Sequence, residues 1–299
     1  MNLFMTRRTK EILIKYLFFL FALVSVIVLA LIVFSLFREG LPIFRHTSIK
    51  DFLFGMEWYP TYNPPSFGIF PLIVGSLIVT VFATCIAVPL GVLTAIYISE
   101  IAPQTVKEIL KSVIELLAGL PSVVLGFFGM VIVAPWLQDT FDLPTGLNIV
   151  NASVILAIMA VPTISSISED ALYAVPREFK EASYALGATK FETIAKVIVP
   201  SALSGISTAI MLGMARAIGE TMVVLMVAGG AAAIPESLFD SVRPMPASIA
   251  AEMGETPHGS PHYSALFAIG MVLFFLTLAF NLIADYVSHK FKQTGSATL

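Results

Sequence analysis

Two charged residues four apart, Arg216 and Glu220, stand inside an apolar run, within Gly213-Met-Ala-Arg-Ala-Ile-Gly-Glu-Thr-Met222. A charged side chain near the centre of a membrane helix costs about 2.5–3.5 kcal/mol on insertion scales, so such residues face a partner or a polar path. On a continuous helix a spacing of four puts both side chains on one face, where they neutralise each other in a purely structural role. The functional alternative is an anion path, because guanidinium is planar, always charged and suited to oxyanions. Glu220 then holds Arg216 in place or repels the anion onward, and Thr221 adds a hydroxyl donor. Gly213, Ala215 and Gly219 flank the pair and allow close helix approach or access to backbone amides. A second stretch, Glu115-Leu-Leu-Ala-Gly-Leu-Pro-Ser-Val-Val-Leu-Gly126, interrupts another apolar run. Ser122 supplies a polar group there, at a break that either lines a gate or is a packing kink.

Much other chemistry is absent. No Gly-Lys dipeptide occurs, so a Walker-A phosphate loop is excluded, and no H-E-x-x-H helix is present. The four histidines, His46, His258, His262 and His289, fall outside the apolar runs, which argues against a buried histidine base. Gly259 and Pro261 separate His258 from His262 as a loop does, which disfavours a metal site. The single Cys85 forms no internal disulfide, and a net charge of −3 gives no basic excess for nucleic acid. The expectation is a non-catalytic chain with no cofactor of its own.

The elements that must hold these residues are membrane helices. Hydrophobic residues make up 57% of the 299 and charged ones 12%, well outside the soluble range of roughly 45–50% and about 25%. A crossing needs about 20 apolar residues. Runs of that kind cover 12–37, 67–98, 112–135, 149–167, 202–233 and 263–288. Together they predict one all-α membrane domain over 1–299, its helices kinked at Pro89, Pro121 and Pro162. The first run exceeds a signal-peptide core and lacks a clear cleavage site, so it reads as a retained helix. Twelve of the seventeen Lys and Arg fall in 1–15, 99–112, 173–201 and 289–299, and four in 38–66, 136–148 and 234–262. That bias predicts a multi-pass protein with both termini cytoplasmic. Trp58, Tyr59, Tyr62 and Phe67 read as an interfacial aromatic belt.

The longest inner segment, 175–200, predicts a short helix, a stop at Gly187 and a second helix capped by Thr189 with Glu192. Phe179, Ala182, Tyr184, Ala185 and Leu186 give the first helix more apolar area than a solvated loop needs, as in a docking element. Glu181-Ala182-Ser183, Gly187 and Ile198-Val199-Pro200 resemble the E-A-A…G…I-x-L-P loop of bacterial ABC-importer permeases, with Ser for Ala and Val for Leu. In that family the loop is a coupling helix seated on a separate ATPase.

The stretches E-L-L-A-G-L-P-S-V-V, A-R-A-I-G-E-T-M, Phe67-Gly-Ile-Phe-Pro-Leu-Ile-Val-Gly-Ser76 and Ser248-Ile-Ala-Ala-Glu-Met-Gly-Glu255 further resemble the PstC family of phosphate ABC transporter permeases. Met222 and Glu252-Met-Gly-Glu255 favour PstC over the sister PstA. The resemblance implies a six-helix permease bundle in the bacterial inner membrane. Its implied partners are a PstA-like sister permease, a PstB-like ATPase dimer carrying ATP and Mg, and a PstS-like external phosphate-binding protein. It also implies that Arg216 and Glu220 match the family's charged translocation residues. A permease for sulfate or another oxyanion, and an ion-coupled secondary transporter, are the alternatives.

Overall fold

Lipid offers no partner to a free backbone amide, so a chain crossing it is driven into helices that satisfy their own hydrogen bonds. The computed structural model describes residues 7–291, with side chains left out at 7–10, 284 and 287–291. Residues 1–6 and 292–299, parts of the two terminal stretches assigned above to the cytoplasm, lie outside the described residues. Helix α1 (Arg7–Gly40) runs through a 3-10 turn to α2 (Ile49–Phe54), which Ser48 caps by accepting the Asp51 amide at 3.0 Å. A small antiparallel pair, β1 (Trp58–Tyr59) and β2 (Ser66–Phe67), precedes α3 (Phe70–Ile96). Next come α4 (Gln104–Ala118), α5 (Ser122–Phe128), α6 (Ala134–Phe141) and α7 (Ile149–Tyr173). The chain continues through α8 (Arg177–Ala185), α9 (Lys190–Thr193), α10 (Val199–Ser201), α11 (Leu203–Ile218) and α12 (Met222–Val227). It ends in α13 (Met245–Glu252) and α14 (Pro261–Phe291).

Five helical stretches among the described residues are long and apolar enough to cross a bilayer: Glu11–Arg45, Phe70–Ile101, Ser122–Phe141, Ile149–Tyr173 and Pro261–Ile283. A sixth arises if Lys190–Ser201 and Leu203–Ile218, bent by 69°, count as one span. Two of the apolar runs are organised differently from a single helix. Residues 112–118 belong to α4, a separate amphipathic helix with no buried residue, and the crossing helix starts at Ser122. Pro121 therefore starts a helix instead of kinking one, while Pro89 and Pro162 do lie inside α3 and α7. The run 202–233 is cut twice. Gly219 ends α11, α12 ends at Val227, and no helix covers 228–244.

Helix α7 sits between α3 and α11, and α14 packs on α11 and α1. The close approach rests on small residues facing one large one. A Cβ at Gly91 of α3 would meet Ile164 Cγ2 at 2.8 Å, and one at Gly213 of α11 would meet Ile164 Cγ1 at 2.6 Å. Val79 and Ala83 of α3, Ile155, Leu156 and Met159 of α7, and Val223, Val224 and Val227 of α12 form one buried cluster. Asn151 supports it from within, donating from Nδ2 to the carbonyls of Gly129 (3.0 Å) and Gly146 (2.9 Å), where a π-bulge at Gly129–Val133 begins.

The bundle end that carries α13 is tied by Glu252. Its carboxylate takes Arg243 Nη1 at 2.7 Å and Trp58 Nε1 at 3.1 Å, and lies 2.7 Å from His262 Nε2. Trp58 and Phe67 are thus buried core, not an interfacial belt, because the indole N–H finds a carboxylate inside. Tyr59 and Tyr62 remain exposed and stack at 4.9 Å.

Gly213→Val is expected to lower the thermal unfolding midpoint in detergent, since overpacking a filled contact costs about 1–3 kcal/mol. Adding Ile164→Ala should return part of the loss. An unchanged midpoint for Gly213→Val alone would contradict the close approach.

Candidate functional site

The break after α11 determines what Arg216 and Glu220 do. Gly219 closes α11, and the chain turns at Glu220 and Thr221 before α12 begins. Four residues apart across such a stop is not the same face of a helix. Glu220 Oε1 instead accepts the amides of Met222 (3.1 Å) and Val223 (3.2 Å), two donors that a new helix start leaves unpaired. Thr221 Oγ1 donates to the Gly219 carbonyl at 3.4 Å, a long bond. Among the described residues no hydrogen bond or ion pair engages the Arg216 guanidinium, whose side chain is exposed. The expected Arg216–Glu220 pair is therefore not formed.

The helix after the second break packs on the helix after the first. Gly119-Leu120-Pro121 separates α4 from α5, and Ser122 is half-buried at the start of α5. Helix α5 packs on α12 at Gly126, where a Cβ would stand 2.9 Å from Met226 Sδ and 3.4 Å from Val223 Cα. Two short helices, each following an interruption, thus share one contact. Arg216 supplies a fixed positive charge beside the first break, while the Met222 and Val223 amides and the Thr221 hydroxyl there are engaged within the protein, and Ser122 starts the helix after the second. No group of three or more His, Cys, Asp or Glu placed to hold a metal occurs among the described residues.

The 175–200 loop folds as a helical clasp, α8 against α9. Gly187, at φ +81°, ends α8 in the left-handed region that favours glycine. Thr189 and Glu192 form a capping box at α9, with the Thr189 amide donating to Glu192 Oε2 at 3.1 Å. Ser183 Oγ lies 2.9 Å from Thr193 Oγ1, both buried, so Ser183 holds the two helices together and does not face outward. Glu181, Ala182 and Gly187 are exposed, and Pro200 is exposed in α10 just before the 69° bend. The most prominent apolar side chains are Leu186, 90% exposed, and Phe191, 77% exposed. Phe191 was not singled out by sequence reasoning; its place next to the Thr189 cap was the available signal. Lys180 joins the clasp to the end of the α3 segment through Glu100 at 2.6 Å, a pair eighty residues apart that sequence spacing does not announce.

Interrupted apolar spans, an arginine with no partner among the described residues and a helical loop at one end are features that fit a membrane transport permease. The alginate ABC transporter, solved with a pentasaccharide-bound periplasmic protein, has a chain that matches this fold at TM-score 0.68 and 14% identity, covering 97% of this chain and 100% of that one. The MetNI methionine ABC transporter, solved in inward-facing conformations, matches at TM-score 0.56 and 21% identity over 76% of this chain and 95% of its own. The family of binding-protein-dependent transport system inner membrane components matches residues 87–293, and the chain belongs to it. A probable ABC transporter permease, YqgH of Bacillus subtilis, is 42% identical over 81% of this chain and 78% of its own length. The phosphate transport system permease protein PstC of Mesorhizobium japonicum is 35% identical over 79% and 77%, and that of Haemophilus influenzae 33% over 92% of both.

Glu220→Ala removes the acceptor of two helix-start amides, a capping loss of about 1 kcal/mol. Amide exchange at Met222 and Val223 should then accelerate roughly fivefold, with 213–217 unaffected. Acceleration confined to 213–217 would show that the carboxylate holds Arg216 instead.

Proposed function

We propose that the chain is the non-catalytic membrane subunit of an ATP-driven importer, forming part of the pathway for inorganic phosphate. The observation that carries this is Arg216: a guanidinium without a partner among the described residues, set beside an interrupted span, in a chain whose relatives are named phosphate transport permeases. A permanent positive charge attracts a tetrahedral oxyanion, and Glu220, hydrogen-bonded to backbone amides, forms no ion pair that would occupy the guanidinium donors. Thr221 and Ser122 add hydroxyls along the same route. One fixed charge, with a carboxylate nearby, holds the anion weakly enough for release.

The remaining assignments follow from this one. The 175–200 clasp seats on an ATPase dimer of the PstB type, which supplies ATP and Mg. Glu181, Ala182 and Leu186 face that ATPase, while Ser183, Gly187 and Pro200 set the loop's shape. A PstA-like sister permease completes the pathway, and a PstS-like binding protein delivers phosphate from outside. Both termini lie on the cytoplasmic side of a bacterial inner membrane, as the lysine and arginine distribution favours.

The assembled complex in proteoliposomes tests this reading. Arg216→Gln should lower ATP-driven phosphate uptake at least about tenfold, as expected for loss of a charged donor. The ATPase should still co-purify. Leu186→Asp should cost both uptake and ATPase co-purification, because a nearly fully exposed leucine does nothing for the chain's own packing. Normal phosphate uptake by Arg216→Gln would refute the pathway role.

A further inference from the structure

One buried carboxylate takes no part in the pathway described so far. Glu169 lies near the end of α7 and is only 5% exposed. Its two oxygens are divided between two lysines of α4: Lys107 Nζ lies 3.2 Å from Oε1, and Lys111 Nζ 3.2 Å from Oε2. Lys107 also sits over the Tyr173 ring at 5.5 Å. Helix α4 buries no residue of its own, and Ile109, Val113 and Leu116, which share one face, are exposed. Val106, Leu110, Ile114 and Leu117, on the opposite face, are half-buried where α4 packs on α7, and the ionic bridge adds a polar tie to that contact.

The position of this tie gives it a task. Helix α4 runs straight into Gly119-Leu120-Pro121, the break before α5, which packs against α12. Helix α7 ends at Tyr173, and the docking helix α8 starts at Arg177. Lys180 of α8 is fastened in turn to Glu100. A displacement of the docking loop thus reaches the end of α7 directly and reaches α4 through Glu169. Without the carboxylate, Lys107 and Lys111 are like charges one turn apart on the same helix and repel. Without the lysines, a buried carboxylate is left uncompensated.

We propose that Glu169 is a positioning residue that couples the docking loop to the helix break at Ser122, so that ATP-driven motion of α8 moves α4 with it. This rests on the importer reading above. The complete complex, reconstituted in proteoliposomes with the sister permease, the ATPase and the binding protein, is assayed for labelled phosphate uptake and ATP hydrolysis together. Glu169→Gln should keep ATP hydrolysis within about twofold of wild type while uptake per ATP falls at least about tenfold, the scale of a lost charge-assisted contact. Reversing the bridge, with Glu169→Lys, Lys107→Glu and Lys111→Glu combined, should restore part of the uptake per ATP. Lys107→Gln with Lys111→Gln, which changes only partly exposed side chains, carries the test if Glu169→Gln does not assemble. Wild-type uptake per ATP in Glu169→Gln, or in the double lysine variant, would overturn the proposal. Equal loss of hydrolysis and uptake without rescue by the reversed bridge would also overturn it, because that marks a merely structural tie. Failure of the wild-type complex to import phosphate at all would instead overturn the importer reading.

Discussion

A helix that starts afresh within an interrupted span leaves its first amides without intrahelical acceptors, and a side-chain cap that accepts them is worth about 1 kcal/mol. The break at Gly219–Thr221 persists because Glu220 places one carboxylate oxygen on the amides of Met222 and Val223. Much of the rest of the structure depends on that arrangement. With Glu220 occupied, Arg216 has no protein counter-ion among the described residues. With α12 beginning afresh, its valines can pack on α7 and α3, and Gly126 of α5 can close on Met226. A continuous helix would have paired Arg216 with Glu220 and silenced both charges.

The two ends of the bundle handle their charges differently. Around α13, Glu252 gathers Arg243, Trp58 and His262 into one knot that fixes elements from three parts of the chain. At the other end, Lys180–Glu100 and the Lys107/Lys111–Glu169 bridge join helix ends to the 175–200 clasp and to α4. Buried ion pairs of this kind contribute little net stability, but breaking one partner is costly, so they specify geometry more than they add free energy. In a transporter, geometry at helix ends is what a nucleotide-driven partner can act upon.

The apolar runs were legible because lipid imposes a length and a composition on every crossing. The Thr189–Glu192 box and the Gly187 stop were legible because caps are local and depend on residues three apart. The breaks were only half legible. Val113, Leu116 and Leu117 counted as part of a span, yet they sit on α4, an amphipathic helix that shares only its apolar stripe with a crossing. Arg216 and Glu220 stand out by charge alone, but their pairing requires an unbroken helix, and nothing in the local pattern marks Gly219 as the residue that ends α11. Glu169 and Lys107, 62 positions apart, and Trp58 with Glu252, 194 apart, meet only through tertiary packing, which no periodicity encodes.

The central claim is that the interrupted spans line a water-accessible path that admits phosphate. Single cysteines at Ser122 and Thr221, introduced with Cys85→Ser into the assembled complex, test it with a membrane-impermeant thiol reagent. A cysteine at Leu23, on the exposed face of α1, serves as the lipid-facing control. Labelling at 122 and 221 well above that at 23, and slowed by added phosphate, is the predicted result. Reactivity at 122 and 221 no greater than at 23 would contradict the account.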